Sequence, residues 1–192
     1  MIGVKLVTIG ASLGGIDALH NLLKPLPAGF GAAIAVVLHR RPDSESRLAE
    51  VIGLRCAMPV SEPEDKASIK AGHVYLAPAD YHLLVEPGQF ALSVDEPECF
   101  SRPSVNVLFE SAADAYGRRV CAVVLTGSSD DGAEGLAAVR RAGGITVVQE
   151  PSTAESPVAP RAAIARGPVD HVLAIDEITA LLVRLCSGKE KR

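Results

Sequence analysis

Three residues of the kinds used in acyl transfer each stand where an apolar run ends. Ser12 lies in KLVTIGASLGG (residues 5–15), bracketed by Gly10, Gly14 and Gly15. His39 follows AAIAVVL (32–38), and Asp131 lies in TGSSDDG (126–132) after VCAVVL (120–125). A serine hydroxyl attacks a carbonyl carbon only when a base within hydrogen-bond reach takes its proton. Imidazole titrates near neutrality, so it can accept that proton and return it to a leaving group. A carboxylate behind the ring fixes its tautomer and stabilises the imidazolium.

Each residue also has a plainer use. Ser12 could be a small residue in a tight turn, and His39 a strand-end histidine bonded to backbone. Asp131, or its neighbour Asp130, could cap the helix beginning near Ala133. The glycine turn itself could cradle a phosphate at a helix N-terminus. A dinucleotide site would want an acid at the end of the second strand, but the sequence there is His39-Arg40-Arg41. Independent structural roles would not need to share one edge of a sheet, and these three placements do.

The elements that must hold them follow from periodicity. Apolar residues at Ile16, Leu19, Leu22 and Leu23 predict a helix over 16–23, ended by Pro25 and Pro27. Residues 32–38 read as a strand buried on both faces, as in a parallel sheet. A helix is expected over 44–54, short strands over 58–61 and 72–77, and an antiparallel hairpin over 83–94 around Pro87-Gly88-Gln89. Residues 95–103 read as a loop before a helix that starts at Val105. The second half alternates strand and helix: strands at 120–125, 145–149 and 171–174, helices at 133–142 and 160–165. A last helix is expected from an Asp176 cap to residue 185. This order predicts a doubly wound, mainly parallel α/β sheet with helices on both faces and an antiparallel hairpin mid-chain. Ligands of such sheets bind at the carboxyl ends of the strands, where Ser12, His39 and Asp131 are expected.

Composition narrows the class. The chain has 192 residues, 48% apolar and 22% charged, which suits one folded domain with a real core. Its formal charge of -4 offers no basic field for nucleic acid or an anionic membrane surface. No apolar run reaches membrane-spanning length, and the N-terminus lacks a secretory signal pattern. Cys56, Cys99, Cys121 and Cys186 are widely spaced, so reduced thiols in a cytoplasmic protein are expected, not disulfides or a zinc site. His20, His73, His82 and His171 have no metal-ligand spacing with another histidine or an acid, and no metal is expected.

The segments IGASLGG, VVLHRRP, GHVYLAPADYHL, RPSVNVLFESAA and LTGSSDDGAEGL, in this order, resemble the catalytic domain of the CheB chemotaxis methylesterase family. The resemblance runs from Val7 to about residue 185. It implies hydrolysis of glutamate methyl esters on the cytoplasmic helices of chemoreceptors, with deamidation of receptor glutamines in many members, and no cofactor. It assigns Ser12 as nucleophile, His39 as base and Asp131 as orienting acid. The backbone N–H groups of Leu13 and Ser128 are the candidate oxyanion donors, and Arg40 and Arg41 candidate contacts to acidic receptor helices. A catalytic domain over 1–187 with a frayed tail at 188–192 is expected, without the receiver domain typical of the family. The expectation is either activity not regulated by a receiver of its own or control by a separate response-regulator or signalling partner. The family usually has Thr at position 13, GMG at 127–129 and Met-Pro directly after the histidine. Those departures bear on substrate and efficiency. A binding module that has lost the activity, and a phosphate- or nucleotide-binding module, are the competing readings.

Overall fold

A computed structural model describes residues 3–40 and 47–186. Among the described residues, seven strands form one parallel sheet in the order β3-β4-β2-β1-β7-β8-β9. They are β1 (Leu6–Ala11), β2 (Ala33–Leu38), β3 (Val60–Ser61), β4 (Val74–Leu76), β7 (Val120–Val124), β8 (Ile145–Gln149) and β9 (His171–Leu173). β5 (His82–Glu86) and β6 (Gln89–Ser93) form a separate antiparallel pair. The helices are α1 (Gly15–Leu23), α2 (Leu48–Gly53), α3 (Val105–Tyr116), α4 (Ala133–Arg141), α5 (Val158–Arg166) and α6 (Ile175–Cys186).

Period-two alternation of the strands divides the core. Val7, Ile9, Ile34, Val36, Cys121, Val123 and Val147 face α1, α2 and α6. Leu6, Ala33, Ala35, Val37, Ala122, Val124 and Val148 face α3, α4, α5 and the hairpin. The second face is rich in alanine, which lets α3 lie close to the sheet. Gly10 is the extreme case: a Cβ there would overlap the Val105 side chain at the first turn of α3. The glycine is therefore required by close approach of helix and strand.

The order of strands sets the site. The chain leaves β1 through α1 toward β2 on one side, and leaves β7 through α4 toward β8 on the other. The loops after β1 and β7 thus diverge and leave a crevice between the carboxyl ends of these two neighbouring strands, where doubly wound sheets bind ligands.

The expected α/β architecture is present, with local differences. The expected mid-chain hairpin is present as a separate sheet that packs on α3, where the Val85 N–H donates to Ser111 Oγ at 3.0 Å. α2 covers only 48–53, and the earlier part of the expected helix falls partly outside the described residues. α5 begins at Val158, ahead of Pro160, because proline is tolerated in a first turn that needs no intrahelical donor. Asp176 lies inside the first turn of α6 and does not cap it; Glu177 reaches back and accepts from the Ala174 N–H at 3.0 Å. The expected tail, 188–192, lies outside the described residues. No helix among the described residues is long and apolar enough to cross a membrane.

Candidate active site

β1 and β7 pair from Leu6↔Val120 to Gly10↔Val124, and this register sets the loops that follow side by side. The Ser12 N–H donates to the Thr126 carbonyl at 3.0 Å, and Thr126 Oγ1 donates to the Leu13 carbonyl at 2.8 Å. Thr126 Oγ1 also accepts from Ser156 N–H at 2.9 Å, and the Thr126 N–H donates to Gln149 Oε1 at 2.8 Å. One threonine therefore ties the serine loop to the loops after β7 and β8. Gly14, at φ 76, is left-handed, so the chain can turn directly from Ser12 into α1.

β2 delivers His39 beside this loop, where its N–H donates to the Ala11 carbonyl at 3.1 Å. Its ring Nε2 lies 2.7 Å from Asp131 Oδ2. Ser12, His39 and Asp131 line one narrow depression together with Gly10, Val105, Gly127 and Ala159. The three sequence-predicted residues are thus brought together. With Nε2 committed to the carboxylate, Nδ1 is the ring nitrogen that Asp131 leaves unused.

Asp131 does not cap α4, whose N-cap is Gly132. Its side chain is fully buried and points at the N-terminus of α3. Oδ1 accepts from Ser104 Oγ at 2.8 Å and from the Asn106 N–H at 2.9 Å. Oδ2 accepts from the Val105 N–H at 2.7 Å as well as from His39. A helix N-terminus with free N–H groups is a ready anion site, and here the anion is a side chain of the same protein. Burial alone would raise the Asp131 carboxyl, but the bonds from His39, Asn106 and Val105 outweigh it and hold the group below its ordinary value. Asn106 completes the join: its Oδ1 accepts from the N–H groups of Gly132 and Gly135, both at 2.9 Å, locking α4 to α3.

The candidate oxyanion donors separate on their hydrogen bonds. The Gly127 N–H is committed to the Ser156 carbonyl at 3.1 Å. The Leu13 and Ser128 N–H groups donate to no backbone carbonyl among the described residues.

Arg40 is turned inward. Its side chain is 9% exposed, pairs with Glu62 at 2.7 Å and donates to the Ala77 carbonyl at 3.0 Å. Arg41 lies outside the described residues. Of the remaining candidates, Asp80 pairs with Arg102 and Glu134 with Arg166. The four cysteines are free thiols, two buried and two partly so. Cys99 approaches Asp131, and Glu98, Cys99 and Asp131 bring ligand atoms within 4.8 Å of one another. Both Asp131 oxygens already accept two bonds each, so a metal there would have to displace the donors that orient the triad.

Sequence reasoning missed Ser104, Asn106 and Thr126. A usable signal existed for Ser104, a serine immediately before the predicted helix at 105, which is an N-cap position. No signal in the sequence says what that cap would face.

A family profile described as CheB methylesterase matches residues 7–182. A Leptospira interrogans protein with the provisional name protein-glutamate methylesterase/protein-glutamine glutaminase is 42% identical over 180 residues, 93% of each chain. The Anaeromyxobacter dehalogenans protein-glutamate methylesterase/protein-glutamine glutaminase 2 is 43% identical over 182 residues, 95% of this chain and 53% of that one. The chain therefore spans nearly all of the first relative and about half of the second. The crystal structure of the Thermotoga maritima CheB methylesterase catalytic domain superposes with a TM-score of 0.90 at 33% identity, covering 96% of this chain and 100% of that one. By profile, relatives and fold alike, this chain belongs to the CheB methylesterase family.

Proposed function

We propose that this protein removes methyl groups from glutamate methyl esters of a protein substrate by acyl transfer through Ser12. The observation that carries the reading is the 2.7 Å contact of His39 Nε2 with Asp131 in a depression that Ser12 also lines. The family and the names of its relatives supply the substrate class.

In the first half-reaction Ser12 Oγ attacks the ester carbonyl carbon while His39 Nδ1 takes its proton. The developing oxyanion is met by the Leu13 N–H at the start of α1 and by the Ser128 N–H. Collapse of the tetrahedral intermediate breaks the bond to methoxide, which leaves as methanol with the proton from His39. Water, deprotonated by the same nitrogen, then attacks the acyl-serine and frees the glutamate. A glutamine side chain would follow the same path with ammonia as leaving group, which is the glutaminase half of the relatives' names. No step calls for a cofactor.

Leu13 and Ile16 beside the nucleophile and Val158 at the start of α5 are exposed apolar side chains near the site. Such a rim suits a protein surface carrying the ester. Methylated chemoreceptor helices are the substrate proposed here, and the cytoplasm the compartment proposed with it.

The test is methanol release from methylated receptor fragments, comparing the native chain with Ser12→Ala. Release that falls by about ten-thousandfold or more in the variant supports the reading. No release from any methylated receptor by the native protein overturns it.

A further inference from the structure

A second histidine reaches the triad through one intermediary. His82, the first residue of β5, is 2% exposed. Its Nδ1 accepts from the Ser104 N–H at 3.2 Å, and its Nε2 lies 3.1 Å from the Glu96 carbonyl oxygen. A backbone N–H can only donate and a carbonyl can only accept. The two contacts together therefore require one form of the ring, neutral with its proton on Nε2.

Ser104 stands at the junction of two functions. Its hydroxyl donates to Asp131 Oδ1 and also caps α3 by accepting from the Val107 N–H at 3.5 Å. The next two backbone N–H groups, of Val105 and Asn106, are the other α3 donors to Asp131. Whatever fixes the Ser104 backbone thus fixes the direction of all three donors at once.

We infer that His82 is a positioning residue of the triad. Its unprotonated Nδ1 holds the Ser104 backbone, the first turn of α3 holds Asp131, and Asp131 holds His39. His82 touches no reacting atom. The chain of contacts also makes the β5–β6 hairpin, outside the main sheet, a support of the catalytic apparatus. The inference takes Ser12, His39 and Asp131 in the roles proposed above, but its primary readout needs no methylated substrate.

Two substitutions separate positioning from packing. His82→Asn puts an amide oxygen near the place of Nδ1 and can still accept from the Ser104 N–H. His82→Gln puts an amide nitrogen near the place of Nε2 and keeps the bond to Glu96, but loses the acceptor for Ser104. The readouts are the NMR resonance of the His39 Nε2–H proton shared with Asp131 and the rate at which a serine-directed phosphonate labels Ser12. In His82→Gln that resonance shifts or broadens, and the limiting labelling rate falls about ten- to a hundredfold with the half-saturating concentration unchanged. In His82→Asn both stay close to native. If the histidine variants do not fold, the ring 15N resonances of His82 in the native protein serve instead: an unprotonated Nδ1 with the proton on Nε2 supports the inference, and the opposite tautomer overturns it. A His39 resonance that stays put in every folded variant, or equal losses in His82→Asn and His82→Gln, overturns the inference. Native protein that labels normally yet releases no methanol would overturn the proposed substrate and leave this inference standing on its own readouts.

Discussion

His39 presents Nε2, not Nδ1, to Asp131, at 2.7 Å. The carboxylate therefore sits against the far nitrogen of the ring, and the nitrogen nearer the backbone is not the one that meets Asp131. This polarity follows from the elements. β2 ends at Leu38, so His39 enters the site from the strand tip, while Asp131 waits at the foot of α3 beyond it. An imidazolium formed by taking the serine proton on Nδ1 would be stabilised through Nε2–H.

Asp131→Asn is expected to lose both activity and stability, for one reason. Each carboxylate oxygen accepts two hydrogen bonds, so an amide NH2 at either position must face a donor. If the NH2 faces His39, the ring takes the wrong tautomer, and kcat falls by about ten-thousandfold. If it faces Ser104 and Asn106, two donors of the α3 turn lose their acceptor, costing about 1–3 kcal/mol. Methanol-release kinetics and thermal melts of the same preparation measure the two effects. A variant that keeps native kcat would remove Asp131 from the mechanism.

The same carboxylate makes stability depend on pH in a defined sense. Its folded-state pKa lies below the ordinary value, because the donors from His39, Asn106 and Val105 outweigh burial. Folding thus favours the ionised form. The contribution is fully present above the unfolded aspartate value of about 3.9, and is lost as pH falls through the lower folded value. The stability gap between the native chain and Asp131→Asn is therefore widest from near neutrality down to about pH 5 and narrows below about pH 4. Denaturant midpoints measured across that range check the sign. A gap that widens on acidification contradicts it.

Gly10→Ala tests whether close approach of helix and strand holds the acid in place. The added methyl would overlap Val105, whose N–H is one of the donors to Asp131. Backbone packed this tightly cannot yield without moving the first turn of α3. The expected cost is about 1–3 kcal/mol of stability from overpacking. A fall in kcat larger than the folded fraction explains should accompany it, and paired melts and kinetics separate the two. Lowered stability with native kcat in the folded protein would mean that α3 can shift without disturbing Asp131.

The convergence of Ser12, His39 and Asp131 on one depression was legible because each is punctuated locally. An apolar strand stops, glycine or a polar turn follows, and a doubly wound sheet sends all such ends to one side. The parallel strands and most helices were legible for the same reason, since their burial is written in period and run length. The support behind the triad was not. Ser104 and Asp131 are 27 residues apart and His82 is 22 from Ser104, and their contacts exist only once α3 docks on Gly10. His82 reads locally as the first residue of a hairpin strand, and only the docked helix shows what its Nδ1 accepts from. The start of α6 shows the limit at smaller scale. Asp176 has the right type for a cap, but Glu177 was the acid able to reach the free Ala174 N–H.

Arg40 offers the sharpest separation between a structural and a substrate role. Read from the sequence it is a cation at the mouth of the site; in the fold it lies against Glu62 and the Ala77 carbonyl with 9% of its side chain exposed. Its Nε and Nη1 are buried without an acceptor among the described residues, so part of its desolvation is not offset. Replacement by an apolar side chain of similar length should then cost less than breaking a fully satisfied buried pair, which is worth about 3–5 kcal/mol. Arg40→Met is expected to lower stability by about 1–2 kcal/mol, because the bonds to Glu62 and Ala77 go while the orphaned nitrogens go with them. KM for a methylated receptor fragment should stay within about twofold, less than the 1.4 kcal/mol that separates tenfold steps in affinity. A KM that rises tenfold with an unchanged melting temperature would instead put the guanidinium in contact with the substrate's acidic side chains.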